Sequence, residues 1–137
     1  MKAKVLMVQG TSSGAGKSTI VIALCRIFSN LGYKVSPFKA QNMSSKIHII
    51  SNVYRISKIQ AIQAFAARKE LEWQINPVLL VPLGNNKSNV FVAGKFLEEM
   101  SAIKYYKEFV LAKGFPIVLD AVNKLKNEND IIIIEGA

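Results

Sequence analysis

Short apolar runs alternate along this chain with amphipathic stretches spaced for helices. Lys4–Gln9 contains the apolar run Val5–Val8 and is closed by Gly10, which suits a buried parallel strand ending in a turn. From Lys17 the spacing becomes helical. Ile20, Leu24, Ile27, Phe28 and Leu31 share a face, and Gly32 follows as a stop signal. Lys34–Lys39 reads as a second strand, with Pro37 marking an edge or a strand end. Gln41–Asn52 is polar around an apolar patch and reads as loop. A helix is expected from about Arg55 to Glu72, with Ile56, Ile59, Gln63 and Ala66 along one face.

Two strands then follow, Val78–Val81 and Asn89–Ala93, and the turn-rich Leu83–Ser88 between them can close a hairpin. Helical stretches at Ser101–Ala112 and Pro116–Asn127 precede the apolar run Ile131–Ile134. Strands alternating with helices predict an α/β domain with a mostly parallel sheet flanked by helices. The chain closes on Glu135-Gly136-Ala137, directly after a strand, where such folds turn into a loop and another helix. Residues 1–137 are thus expected to be one nucleotide-binding domain incomplete at its C-terminus, either a natural short form or a fragment.

The chemistry is concentrated in Gly10-Thr11-Ser12-Ser13-Gly14-Ala15-Gly16-Lys17-Ser18-Thr19. In a P-loop of this kind, backbone N–H groups converge on phosphate oxygens and the following helix presents its positive end. Lys17 reaches the β- and γ-phosphates, and the Ser18 hydroxyl ligates Mg²⁺. The predicted ligands are therefore ATP and Mg²⁺. Five residues separate Gly10 from Gly16 where the usual pattern has four, because Thr11 holds the usual glycine position. A subset of loops from amidoligase-like and partition-type ATPases shares that feature. At the far end of the chain, Glu135 leaves the β-branched run Ile131–Ile134 where a parallel α/β sheet places its ligand-facing groups. It is a candidate to hold Mg²⁺ or its waters opposite Ser18. Read without the loop, it is an ordinary carboxylate at a strand exit.

Composition narrows the classes further. Half of the residues are hydrophobic, enough for a real core, and no apolar run is long enough to span a membrane. Without a secretory signal, the chain is expected to be cytoplasmic. Cys25 is the only cysteine and lies in an apolar helical pattern, where it reads as a small buried hydrophobe. His48 is also alone, so no zinc cluster is expected. The net charge of +9 favours anionic partners. The lysines are scattered, however, which reads as a solvated surface and not as a nucleic-acid site.

Three further stretches complete a family pattern: Pro37-Phe38-Lys39-Ala40-Gln41-Asn42-Met43-Ser44, Gln60-Ala61-Ile62-Gln63-Ala64 and Asn76-Pro77-Val78-Leu79-Leu80. With the phosphate loop and the closing Glu135-Gly136-Ala137, they resemble the N-terminal ATP-binding domain of the cobyric acid synthase family, in the family's order over nearly the whole chain. Dethiobiotin synthetase is a more distant likeness. The resemblance implies an ATP-dependent, glutamine-dependent amidoligase of cobalamin biosynthesis that activates carboxylates of a corrinoid polycarboxylate as acyl phosphates. It further implies that Lys39 neutralises the phosphate or the substrate carboxylate, and that Gln41 and Asn42 line the corrinoid side.

The chain also departs from that pattern. Arg55 stands where family members carry an acidic residue that helps to hold the metal, and a cation cannot ligate Mg²⁺. Leu80-Val81-Pro82 lacks a lysine of the family, and Gly14 replaces an acidic residue often found in the loop. The family's glutamine amidotransferase domain has no counterpart here, which leaves the supply of ammonia to a separate amidotransferase chain or to a continuation of this one. Two other readings stay open at this point. One is a partition-type ATPase acting as a nucleotide-switched homodimer; the other is a degenerate nucleotide-binding remnant without catalysis.

Overall fold

The computed structural model describes residues 3–136, so the closing Ala137 lies outside the described residues. Strand β1 (Lys4–Val8) runs into the glycine loop, and helix α1 (Lys17–Asn30) follows it. Strand β2 (Val35–Phe38) comes next, but it does not pair with β1. The last strand, β9 (Ile131–Glu135), inserts between them, giving a parallel sheet in the order β1-β9-β2. Pro37 thus lies on an edge strand, where its missing N–H costs no ladder bond.

The run Ile131–Ile134 is apolar on both sides because both faces of β9 are covered. Ile133 packs with Val21 and Cys25 of α1, Val35, and Ala66 and Ala67 at the end of helix α2 (Lys58–Ala66). Ile132 faces the opposite side, against Phe38 and against Ala121 and Leu125 of helix α4 (Phe115–Glu128). The next residue in phase with Ile133 is Glu135, so strand periodicity alone aims its carboxylate at the α1–α2 side.

Beyond Phe38 the chain changes partners. The Lys39 amide donates to the Ile75 carbonyl, and β3 (Gln41–Met43) then pairs in parallel with β6 (Val78–Gly84). Strands β7 (Lys87–Val92) and β8 (Lys95–Ser101) continue this second sheet as an antiparallel meander. The predicted hairpin is present, turned by Asn85-Asn86 with both residues at positive φ. The parallel central sheet flanked by helices is that of the expected α/β class, with the meander added at its side.

Several local expectations need correction. Gln41–Asn52 is not loop: it contains β3 and β4 (Ile47–Ile50), and β4 forms a hairpin with β5 (Tyr54–Ser57). The helix expected from Arg55 is therefore shorter. Ile56 is a buried strand residue, and α2 stops before Arg68, which has a positive φ of 54°. Strand β8 was not anticipated. Its turn, Ala93-Gly94, again has two positive φ values, and a Cβ on Gly94 would meet the Tyr54 side chain at 2.7 Å.

The two C-terminal helices are one continuous helical stretch: a turn α3 (Ala102–Lys104), a π-helical segment (Tyr105–Gly114) and α4. On α1 the buried residues are Val21 and Cys25, whereas Ile20, Ile27 and Leu31 are more than half exposed. The apolar arc of this helix is wider than its buried face, so spacing did not define the inward side. Strand β1 pairs on one side only, which leaves Val5, Leu6 and Met7 partly exposed instead of buried. Cys25 is fully enclosed, and burial pushes its thiol up to about 12, so it behaves as a small hydrophobe. Among the described residues no helix is long and apolar enough to cross a membrane.

Candidate functional site

The site lies where the chain changes sheets, at the carboxyl ends of β1, β9 and β2. Open α/β sheets form a ligand crevice at such a switch point. The loop after β1 turns sharply at Gly14 and Gly16, whose φ angles of 76° and 90° fall in the left-handed region. Gly16 starts α1 without a side-chain cap, which leaves the first-turn N–H groups free of side-chain acceptors at the positive end of the helix. Gly10 serves a different purpose. A Cβ there would meet the Lys17 side chain at 3.0 to 3.2 Å, so the missing side chain makes room for the lysine. The Lys17 ammonium spans the loop and donates to the Ser12 carbonyl at 3.0 Å.

A cleft of about 490 Å³ opens on this loop. Ser13, Gly14, Ala15, Gly16, Lys17 and Ser18 form one wall, with Lys39, Asn42 and Glu135 among the residues opposite. Gly10, Thr11, Ser12 and Thr19 stand outside that lining. Glu135 is 5% exposed and is the acceptor at the centre. Its Oε1 receives the Ser18 hydroxyl at 3.0 Å and the Lys39 ammonium at 2.7 Å. Its Oε2 receives Gln63 Nε2 at 2.5 Å and, at 3.5 Å, Gln60 Nε2. The folded chain thus brings together residues 18, 39 and 135, which are far apart in sequence.

Gln41 and Asn42 part company, as neighbours on a strand must. Asn42 faces the cleft and donates to Ser57 Oγ at 2.9 Å and Gln60 Oε1 at 2.8 Å. Gln41 turns away to accept the Tyr105 hydroxyl at 2.7 Å. Arg55 does not line the cleft. Its guanidinium lies over the Phe91 ring, 5.7 Å from the centroid. His48 sits edge-on to Phe65 at 5.9 Å.

Three residues with no expected role hold this arrangement. Gln60 and Gln63 are fully buried on α2, and their signal was two amides three residues apart on an alanine-rich helical face. Asn76 is the third. Its side chain donates to the Lys39 and Val78 carbonyls and accepts the Ser57 amide, tying the end of β2 to β5 and β6. Its sequence signal was an Asn-Pro pair directly before a strand, within the Asn76–Leu80 stretch of the family pattern.

Ser18 and Glu135 fit a magnesium ion by donor chemistry. Both offer hard oxygen ligands, and Mg²⁺ takes few protein ligands, filling the rest of its shell with water and phosphate oxygens. No group of three or more His, Cys, Asp or Glu side chains suited to a metal occurs among the described residues.

Comparison with known proteins gives a consistent result. The chain is 49% identical to the probable cobyric acid synthase of Thermococcus onnurineus, with 98% of this chain aligned to 28% of that protein. It is 46% identical to the cobyric acid synthase of Desulfitobacterium hafniense (96% and 26% covered) and 45% identical to that of Dehalococcoides mccartyi (98% and 26%). It therefore spans between 26% and 28% of the length of these relatives. The family model for the CobQ/CobB/MinD/ParA nucleotide binding domain matches residues 6–133, from β1 to β9, and this chain belongs to that nucleotide-binding family.

Proposed function

We propose that this chain is the ATP-binding part of a cobyric acid synthase-like amidoligase, acting on carboxylates of a corrinoid. One observation carries the reading: Lys17, Ser18, Lys39 and Glu135 face a single cleft beside an uncapped helix N-terminus. The relatives' names supply the reaction class. In this reading a substrate carboxylate oxygen attacks the γ-phosphorus of ATP. The bond to the β,γ-bridging oxygen breaks, and ADP and an acyl phosphate form. Ammonia then adds to the acyl carbon, phosphate leaves with the electron pair of its C–O bond, and the nitrogen gives up a proton to leave the amide.

Phosphoryl transfer of this kind needs positioning and neutralisation of charge more than covalent chemistry from the protein. The loop N–H groups and Lys17 would hold the phosphates. Lys39 would draw in the attacking carboxylate, and Asn42 would contact the ligand on that side. Ser18 and Glu135 would hold Mg²⁺, which supplies positive charge to the phosphate oxygens when bound.

Supplying ATP, Mg²⁺, ammonia and a corrinoid acid tests the reading. Phosphate release that depends on the corrinoid supports it. ATP binding without any such release would favour the degenerate remnant. A salt-sensitive DNA shift in place of corrinoid binding would favour the partition-type switch.

A further inference from the structure

Beside the residues assigned to ligands, a line of buried amides runs from the cleft wall to Glu135. Asn42 Nδ2 donates to Gln60 Oε1 at 2.8 Å, Gln60 Nε2 to Gln63 Oε1 at 3.4 Å, and Gln63 Nε2 to Glu135 Oε2 at 2.5 Å. Every donor points the same way, and the line ends on a carboxylate that can only accept when ionised. Both glutamines are completely buried. Burying two primary amides costs free energy that hydrogen bonds only offset, whereas apolar side chains of the same volume would pack without that cost. Packing alone therefore does not explain them.

Their effect on Glu135 is specific. They occupy Oε2, so Oε1 is the oxygen turned toward Ser18 and Lys39. Turning the carboxylate out of this plane breaks the Gln63 bond. The orientation of the Gln60 amide is set in turn by Asn42, which itself lines the cleft.

We propose that Gln60 and Gln63 are positioning residues that hold the Glu135 carboxylate for Mg²⁺ and link it to the ligand-facing Asn42. The proposal rests on the reading of the cleft as a Mg²⁺–ATP site. Groups that orient a metal-side ligand typically matter by tenfold or more in metal affinity. Occupancy at Asn42 and metal-assisted binding at Glu135 are then thermodynamically coupled, each altering the other by the same factor.

Calorimetric titration of the full chain with ATP, once with Mg²⁺ and once with EDTA, tests this. The readout is the gain in ATP affinity that Mg²⁺ provides. Gln63→Met keeps the volume and removes the donor; it is expected to cut that gain by about tenfold and leave the EDTA affinity within about twofold. Asn42→Ala, at the other end of the line and on a partly exposed strand, is expected to cut it by about threefold, with the fold checked by circular dichroism. In the double variant the losses should be less than multiplicative. An unchanged Mg²⁺ gain in a folded Gln63→Met or in Asn42→Ala would overturn the proposal, as would a wild-type chain that binds ATP with no gain from Mg²⁺. A wild-type chain that binds no ATP under either condition would overturn the nucleotide-site reading itself.

Discussion

Lys39 Nζ lies 2.7 Å from Glu135 Oε1, joining the end of β2 to the end of β9 where the two sheets separate. The lysine side chain is 16% exposed and the carboxylate 3%, so the pair is shielded from most solvent screening. Removing one partner from a buried pair is costly because the other charge is left unpaired. Lys39→Met is expected to destabilise the chain by about 2 kcal/mol, below the fully buried range because the ammonium reaches solvent. Adding Glu135→Gln should restore part of that loss, since the second change removes the stranded charge. Urea denaturation of the two single variants and the double variant checks both statements.

The left-handed turn at Gly16 gives a prediction that separates backbone from side chain. With φ at 90° and nothing near a new Cβ, Gly16→Ala meets no clash, only conformational strain. The expected cost is about 1–2 kcal/mol of stability if the loop keeps its shape. If the loop relaxes, ATP affinity falls instead. Paired denaturation and ATP titration distinguish the two, and an alanine variant with neither loss would contradict the role given to this turn.

A pH effect is expected at a site away from the cleft. Burial raises the Glu72 carboxyl, but hydrogen bonds and charge from Lys124 and Lys69 outweigh this and hold it below its ordinary value of 4.5. The folded chain thus binds the proton less readily than the unfolded one. The stabilisation is full above about pH 4.5 and is lost as pH falls from there through the lower folded value. Glu72→Gln should flatten this part of the stability profile in acid melts and leave the profile near neutrality parallel to that of the parent chain.

The parts of the fold that could be read in the sequence were those where one signal had one meaning. Val5–Val8 followed by Gly10, and four β-branched residues followed by Glu135, each specify a strand ending at a ligand crevice. The parts that could not be read have identifiable causes. Ile56 and Ile59 stand three apart and so imitate a helix, yet a strand ends between them at Ser57. The Ala93-Gly94 turn lacks the usual Asn-Gly or Asp-Gly signal, so β8 was missed. The site shows the same division. Local spacing marks the phosphate loop, but a sequence without coordinates does not show that Gln60 and Gln63 converge on a carboxylate more than seventy positions away.

In the proposed phosphate site at Gly10–Thr19, Lys17 is the loop's own cation. Titration calorimetry of ATP against the chain and against Lys17→Ala tests that role. A hydrogen bond to a charged group is worth about 1.5–3 kcal/mol, so affinity is expected to fall by about ten- to a hundredfold with the fold intact by circular dichroism. Equal ATP affinity for the two proteins would contradict the assignment of this site.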